Sequence, residues 1–273
     1  QTIIAVVVTF NGAPWIARCL HSLLHADLPL EIVVVDNAST DDTVDIVAAT
    51  HGVSVIKNRR NIGFGRANNI ALALALQKNA DYVLLMNQDC WAAPGAIRAL
   101  VSVASADTEN VGIVSGIQLD ERGDFDQIQL RSYLSRLAPQ YLSDLRRGTL
   151  REAYDIDDVG FAATLLSRRM LERVGGFDPI FFLYCEDNDY CTRARRQGFT
   201  IKIVTAAEFT HVRGFHGRSG SGASVPSMQR HVGRTRSIIL LSAKAASGKF
   251  VINVLRAWSS AFFGGLNATV QES

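Results

Sequence analysis

The chain has 273 residues, of which 48% are hydrophobic and 20% are charged, and its formal net charge is +2. This length is sufficient for one large α/β domain with a full hydrophobic core. Domains that bind nucleic acids usually carry a strong basic excess, so the near-neutral balance argues against a nucleic-acid partner. No apolar run reaches the roughly 18 residues of a membrane span. A β-branched run begins at residue 2, so we expect no signal peptide and a cytoplasmic protein.

The cysteines give no sign of an oxidised framework. All four lie inside apolar or helical patterns and form no CxxC motif; they are Cys19, Cys90, Cys185 and Cys191. This pattern favours buried free thiols in a reducing compartment over disulfides.

Strands and helices are predicted to alternate in the first third of the chain. Residues 2–9 form an unbroken β-branched run typical of a buried parallel strand, and residues 31–35, 53–56 and 82–86 are predicted to be three more. Apolar residues recur at helical spacing between these runs. The alternation predicts an α/β fold with a mostly parallel, Rossmann-like sheet flanked by helices.

Polar groups follow all four predicted strands at their carboxyl ends, where open α/β sheets bind ligands. They are Thr9 and Asn11, Asp36 and Asn37, residues 61–66, and residues 87–89. We therefore predict a nucleotide or nucleotide-like ligand at this edge. The first strand–helix turn has one glycine and lacks GxGxxG, and no GxxxxGK[ST] occurs in the chain, so neither a Rossmann oxidoreductase nor a P-loop NTPase is indicated.

The second half of the chain has a less regular pattern. Residues 120–158 show weak periodicity and are interpreted as a variable part that covers or forms an acceptor site. Residues 214–227 are rich in Gly and Ser and predict a mobile loop. The remaining predicted elements are helices at 94–105, 167–174, 229–246 and 249–266, and strands at 111–119, 159–166 and 200–204.

An acidic turn stands out within residues 181–199. Glu186, Asp187 and Asp189 lie in one turn ahead of a short basic helix. Carboxylates at a helix start are stabilised by the positive end of the helix dipole, and this structural role remains the alternative to a catalytic one.

Five motifs, taken in their order and spacing, resemble the inverting family 2 glycosyltransferases, and most closely the bacterial rhamnosyltransferase-like branch. They are VVVTFN, VVVDNASTDDT, NIGFGRANN, LLMNQD and GGFDPIFFLYCEDNDYCTRARRQGF, and the resemblance covers about residues 2 to 215. It implies a GT-A fold, a nucleotide-diphosphate sugar donor and a divalent cation, Mg²⁺ or Mn²⁺.

The metal expectation rests on two residues. A cation that bridges both phosphates would stabilise the charge of the leaving group, and hard cations prefer oxygen ligands. Asp89 is the best candidate because it follows a buried strand, although the family's DxD is Asn87-Gln88-Asp89 here. Asn87 and Gln88 are therefore expected to contact the nucleotide sugar rather than the metal. The resemblance implies His211 as the second ligand, with His216 as the alternative.

The resemblance also assigns catalytic and donor-binding roles. An inverting transfer is a single displacement in which a base removes the proton of the acceptor hydroxyl, and the resemblance maps that base onto Asp187. Glu186 is expected to orient the acceptor, and Asp189 remains a competing base. The residues implied in donor binding are Thr9, Asn11, Asp36, Asn37, Gly63, Gly65 and Arg66.

The sequence thus predicts a metal-assisted inverting glycosyltransferase domain at residues 1–215. Residues 216–273 are predicted to be a flexible loop and a C-terminal helical extension packed on the same domain. The leading reaction moves L-rhamnose from dTDP-L-rhamnose to a polysaccharide or lipid-linked glycan. The alternatives are a UDP-hexose or UDP-galactofuranose transferase, a nucleotidyltransferase, and a catalytically silent nucleotide-sugar-binding module.

Basic and apolar residues alternate in the C-terminal extension. This pattern is compatible with peripheral contact at the inner face of the plasma membrane. A solvated face and a surface for homo-oligomerisation remain open as alternatives.

Overall fold

The computed structural model describes residues 1–213 and 227–244. Within these residues, nine strands form one sheet flanked by helices. The strands are β1 (Ile3–Thr9), β2 (Glu31–Asp36), β3 (Val53–Lys57), β4 (Tyr82–Asn87), β5 (Cys90–Ala92), β6 (Val111–Leu119), β7 (Ala153–Asp155), β8 (Ala163–Ser167) and β9 (Thr200–His211).

The longer helices account for most of the remaining described chain. They are α1 (Ile16–Leu24), α2 (Thr43–Ala49), α3 (Phe64–Gln77), α4 (Ala96–Ala106), α7 (Pro139–Arg147), α8 (Arg168–Val174), α9 (Glu186–Arg196) and α10 (Ser227–Lys244). Two short helices, α5 (Gln127–Gln129) and α6 (Ser135–Leu137), flank a π-helical turn at Leu130–Leu134. No helix in the two described ranges is long and apolar enough to cross a membrane.

The sheet runs in the order β3-β2-β1-β4-β8-β6-β9-β5, and β7 pairs with β9. The four strands β3, β2, β1 and β4 are parallel, as the β-branched runs predict. β8 lies antiparallel between β4 and β6, so the sheet as a whole is mixed. The α/β class is confirmed.

Both faces of the sheet are buried, which explains why β1 has no polar residue before its last position. Ile4 and Val6 belong to one core cluster, whereas Ala5 and Val7 belong to the other, on the opposite face. Alternating side chains of a strand point to opposite faces, so a strand covered on both sides must be apolar throughout. Its first polar side chain, Thr9, therefore marks the edge where the strand leaves the core.

Two segments differ from the sequence expectation. The predicted strand at residues 159–166 begins only at Ala163, because the residues before it turn towards α9. Residues 120–158, predicted to be irregular, contain α5, the π-helical turn, α6 and α7. The predicted helix at 229–246 is found as α10 within the described range, whereas the predicted loop at 214–227 lies almost wholly outside it, and His216 and the predicted helix at 249–266 lie entirely outside it.

The entry into α9 is conformationally unusual. Tyr184 and Cys185 both have positive φ angles, 72° and 66°. Side chains other than glycine rarely adopt this region, and holding such residues there costs on the order of 1–3 kcal/mol each. The strain lies immediately before Glu186, the first residue of α9.

Candidate active site

The β4–β5 turn and the end of β9 bring two of the predicted metal ligands together. Asp89 and His211 are only 7% and 6% exposed. The Nε2 atom of His211 lies 3.4 Å from Oδ1 of Asp89. The pairing of Cys90 with His211 in the β5–β9 ladder fixes this register, and the Val212 amide donates to the Asp89 carbonyl at 3.0 Å.

The neighbours of His211 determine which ring nitrogen carries the proton. Nδ1 of His211 lies 3.1 Å from Oε1 of Gln118, and the Arg213 guanidinium donates to the same oxygen at 3.2 Å. Because a guanidinium has only donors, Gln118 must present its oxygen here, and Nδ1 of His211 then donates to it. Nε2 is the ring nitrogen that faces Asp89, and a ring held through its other nitrogen is the arrangement found for metal-binding histidines.

This donor set fits a divalent cation in part. One carboxylate and one imidazole face each other, and the remaining ring nitrogen is held by an amide oxygen. Among the residues that the structure describes, no group of three His, Cys, Asp or Glu side chains could hold a metal ion. A cation would therefore depend on donor phosphates or water for its other ligands.

The acidic turn places two carboxylates in a poorly solvated position at the start of α9. Glu186 is 6% exposed, and its Oε2 atom is buried with no hydrogen-bond partner among the described residues. Asp187 is half-buried and accepts hydrogen bonds from the backbone amides of Asn188, at 2.9 Å, and Phe161. Burial, and then the charge of Asp187, raises the pKa of Glu186. Burial, and then the charge of Asp158, raises the pKa of Asp187.

Asp189, the competing base, is occupied by cations. Its carboxylate binds Arg193 at 2.8 Å and Lys244 of α10 at 2.7 Å, and it is 4% exposed. Lys244 also pairs with Asp178, so α10 ties the segment before α9 to its first turn. Both oxygens of Asp189 are therefore paired with cations, whereas Asp187 is held by backbone amides.

Two adjacent residues connect the metal-ligand turn to the acidic turn. The carbonyl of Ala162 accepts the Asn87 amide at 2.8 Å, while the amide of Phe161 donates to the Asp187 carboxylate. Phe161 is itself fixed, because its ring packs against Tyr190 of α9 at a centroid distance of 5.7 Å. The residues at the ends of β1, β2 and β4 are the predicted donor side, and the start of α9 is the predicted acceptor side. The backbone at Phe161 and Ala162 therefore connects the two sides.

Most of the residues that are predicted to bind the sugar donor, at the ends of β1, β2 and β4, form hydrogen bonds to other residues of the chain. Thr9 donates to Gln88 at 2.5 Å, and Asn11 accepts the Thr40 amide at 2.8 Å. The Asp36 carboxylate accepts the Ser39 hydroxyl at 2.5 Å and the Ala38 and Ser39 amides. Asn37 accepts from Asn58 at 2.9 Å and donates to the Gly63 carbonyl at 3.3 Å. Asn87 is half-buried at the end of β4.

Gly63, Gly65 and Arg66 have contacts that the sequence did not indicate. A Cβ on Gly63 would lie 2.3 Å from the Phe182 carbonyl oxygen, and one on Gly65 would lie 2.9 Å from Cβ of Phe177. Arg66 donates to the Pro179 carbonyl at 2.9 Å. In this structure the three residues contact the segment that leads into α9, and their predicted contact with the donor stays a prediction.

Sequence reasoning missed Asp158 and Tyr133. Asp158 accepts a hydrogen bond from the Asn188 side chain and has one buried oxygen without a partner among the described residues. Tyr133, on the π-helical turn, has its pKa raised first by burial and then by the charges of Asp187 and Asp158. Only the irregular character of residues 120–158 hinted that this region reaches the site.

A solved structure defines the class of protein to which this fold belongs. The mannosyltransferase PcManGT from Pyrobaculum calidifontis, in complex with GDP-Man and Mn²⁺, matches with a TM-score of 0.63 at 21% identity, over 95% of this chain and 69% of that chain. The fold is the GT-A fold of glycosyltransferases, as the resemblance implied.

The chain belongs to glycosyl transferase family 2, whose sequence model matches residues 4–175. An N-acetylglucosaminyl-diphospho-decaprenol L-rhamnosyltransferase of Mycobacterium tuberculosis is 28% identical over 229 residues, 76% of this chain and 74% of that protein. The dTDP-rhamnosyl transferase RfbF of Shigella flexneri is 25% identical over 257 residues, 89% of this chain and 81% of that protein. The predicted family and the prediction of a glycosyltransferase are confirmed.

Proposed function

We propose that this glycosyltransferase moves L-rhamnose from dTDP-L-rhamnose to a hydroxyl of a polysaccharide or lipid-linked glycan, with inversion and with Asp187 as the general base. The observation that carries the proposal is the bridge at Phe161–Ala162, which joins Asn87 to the Asp187 carboxylate. It holds an available carboxylate close to the strand end where open α/β sheets bind ligands.

The proposed reaction is a single displacement. Asp187 accepts the proton of the acceptor hydroxyl as that oxygen attacks the anomeric carbon, and the bond from that carbon to the diphosphate oxygen breaks. Glu186 orients the acceptor, because its buried Oε2 can accept a second hydroxyl. The backbone amides of Phe161 and Asn188 hold the Asp187 carboxylate in place without neutralising it.

Asp89 and His211 would hold the divalent cation, Mg²⁺ or Mn²⁺. When bound, this ion supplies positive charge against the departing diphosphate. Gln118 orients the His211 ring for that purpose through the hydrogen bond at Nδ1. The PcManGT structure is a complex with GDP-Man and Mn²⁺, which supports a cation but not its ligands in this chain.

The choice of rhamnose and of a lipid-linked acceptor rests on the names of the relatives. Four large apolar side chains are exposed immediately before Glu186: Ile180, Phe182, Leu183 and Tyr184. We include peripheral membrane contact in the proposal, with this segment facing an acceptor embedded in the bilayer. Phe182→Ser should then weaken sedimentation with anionic phospholipid vesicles, and unchanged sedimentation would remove the membrane contact from the proposal.

Thermal unfolding with a panel of nucleotide sugars tests the donor. We expect dTDP-L-rhamnose with Mn²⁺ to raise the melting temperature more than UDP-glucose, UDP-galactofuranose or GDP-mannose, since a ligand at 100 times its Kd stabilises by about 2.7 kcal/mol. A larger rise in melting temperature with UDP-galactofuranose would identify that compound, rather than dTDP-L-rhamnose, as the donor. No shift with any dTDP or UDP compound would overturn the proposed function.

A further inference from the structure

The turn before β8 supplies a second carboxylate next to the proposed base. Asp158 is half-buried, and the side-chain amide of Asn188, the residue after Asp187, donates to its Oδ2. The other oxygen, Oδ1, is buried without a hydrogen-bond partner among the described residues. Asp158 is therefore anchored to the first turn of α9 by the Asn188 amide, and the Cys191 thiol of the same helix and the Val159 backbone amide also interact with its carboxylate.

The same turn also contacts the Asp187 carboxylate directly. Three residues after Asp158, the Phe161 amide donates to Asp187. The turn is in contact with its neighbours, because a Cβ on Gly160 would lie 3.4 Å from the Tyr133 hydroxyl and the Cys191 thiol contacts the Val159 carbonyl at 3.9 Å. Residues 158–161 and the first turn of α9 thus form one packed unit that contains both aspartates.

The other charged and titratable groups around this unit leave the pKa of Asp158 raised by burial, although Arg195 acts to lower it. They are Glu186, Cys185 and Cys191 on or next to α9, Tyr133 on the π-helical turn, Arg195 further along α9, Arg213 after β9 and Arg234 on α10. Arg195 pairs with the exposed Asp157 at 3.2 Å, and Arg213 binds Asp126 through two of its nitrogens.

We propose that Asp158 is a positioning residue for Asp187, and that its carboxylate, held beside the base, strengthens the affinity of Asp187 for a proton. This inference rests on the proposed function, because it assigns Asp187 the task of accepting the acceptor proton. A lone carboxylate at its ordinary pKa is a weak base, and a like charge nearby makes the neutral form more favourable. The direction of the pKa shift at Asp187, raised first by burial and then by Asp158, agrees with this role.

Carboxyl-carbon NMR titration of the full chain tests the proposal without needing a substrate. The protein is labelled with ¹³C at its aspartate carboxyls, and the Asp187 signal is assigned by its loss in Asp187→Asn. In Asp158→Asn, we expect the acid dissociation constant of Asp187 to increase about threefold or more, because a like charge has been removed. A folded Asp158→Asn protein with an unchanged Asp187 titration would overturn the proposal.

Asp157→Asn is the matched control, since it makes the same chemical change one residue away, where the side chain is exposed and paired with Arg195. Its Asp187 titration should match that of the unchanged protein; an equal shift in both variants would mean that the effect is not local and would overturn the proposal. Should Asp158→Asn not fold, Asn188→Ala releases Asp158 from its only side-chain amide partner in the described structure. A smaller shift in the same direction is then expected, and no shift would overturn the proposal.

With an active donor, the rate gives a second measurement. The acid limb of kcat/KM should move to lower pH in Asp158→Asn while KM for the donor stays the same. A uniform loss of rate at every pH would indicate a structural role only. If no donor is turned over by the unchanged protein, the proposed function fails, and the NMR titration still decides the role of Asp158.

Discussion

The ends of β1, β2 and β4, on the predicted donor side, and the start of α9, on the predicted acceptor side, differ in how their polar groups are paired. At the ends of β1, β2 and β4, side chains such as Thr9, Asp36 and Gln88 bond to neighbouring scaffold. At the start of α9, Glu186 and nearby Asp158 each keep a buried oxygen without a partner among the described residues. A buried polar group left unpaired costs about 1–3 kcal/mol, whereas a paired one costs little.

This difference in hydrogen bonding indicates where a ligand is expected to bind. On the predicted donor side, the polar side chains are hydrogen-bonded to other groups of the chain. The acceptor side keeps strained backbone at Tyr184 and Cys185 together with unsatisfied carboxylates. Strain and unpaired groups of this kind are concentrated at functional sites, because a ligand can compensate for them.

The largest effect expected on the acceptor side is that of Asp187→Asn. Removing a general base lowers kcat by about 100- to 10,000-fold. Donor binding should be retained, because the substituted group faces the acceptor in the proposed reaction. Steady-state transfer assays and thermal shifts with the donor separate the two quantities. Substantial transfer by Asp187→Asn would contradict the base assignment.

Asp189→Asn is the control for that change, because it removes a carboxylate from the same helical turn. Its carboxylate binds Arg193 and Lys244, so the expected loss is in melting temperature rather than in kcat. Were Asp189→Asn to abolish transfer while Asp187→Asn did not, the roles of the two residues would be reversed.

On the donor side, His211→Ala and Asp89→Asn should weaken binding of Mn²⁺. Even loss of an outer partner of a metal ligand typically costs 10- to 100-fold in affinity, so loss of a ligand should cost at least about tenfold. Melting temperatures in dTDP with increasing Mn²⁺ measure this affinity. His51→Ala, at an exposed turn, should leave it unchanged. If all three variants responded equally to Mn²⁺, neither Asp89 nor His211 would be a metal ligand.

A smaller effect is expected from Lys244→Met, which tests whether α10 holds the acceptor side in place. Lys244 pairs with Asp178 and Asp189, and Ser237 of α10 donates to the Leu183 carbonyl at 2.9 Å. Because Lys244 is partly exposed, the loss in unfolding free energy should be about 1 kcal/mol. Lys78→Met, which breaks an exposed pair with Glu31, is the control and should lower the unfolding free energy by less.

The sequence predicts those parts of the fold and of the site that are encoded by residues adjacent in the chain. Continuous β-branched runs identified β1 to β4, and one acidic turn identified Glu186 and Asp187. Contacts between distant segments were not readable. The amide of Asn188 reaches Asp158 across 30 residues, and no periodicity encodes such a pair.

The glycines near the start of α3 show the same limit. Gly63 and Gly65 were expected to let the backbone approach the donor, since glycine permits close approach. In the structure, the groups that come close to Gly63 and Gly65 are Phe182 and Phe177 of the chain itself. Sequence shows that something must come close, but the partner is fixed only by the tertiary fold.

The pH dependence of stability gives the finest test of the difference between the two sides. Burial raises the pKa of Glu186, so the folded state binds more protons than the unfolded state as pH rises from about 4 towards neutral, and stability falls over this range. For Asp41 on the donor side, burial acts to raise the pKa, but hydrogen bonds from Thr43 and Ala13 outweigh it and lower the pKa. Its contribution to stability is therefore present at neutral pH and lost as pH falls.

The two uncharged variants should then differ in sign at pH 8. Glu186→Gln is expected to melt above the unchanged protein, and Asp41→Asn is expected to melt below it. The Glu186 difference should shrink towards pH 4, where its carboxyl group is protonated in the folded and the unfolded protein. The Asp41 difference should shrink only below about pH 4, because the folded state holds the pKa of Asp41 below its usual value. Melting curves from about pH 3 to pH 8 measure both differences. Two shifts of the same sign at pH 8 would contradict the division between a satisfied donor side and an unsatisfied acceptor side.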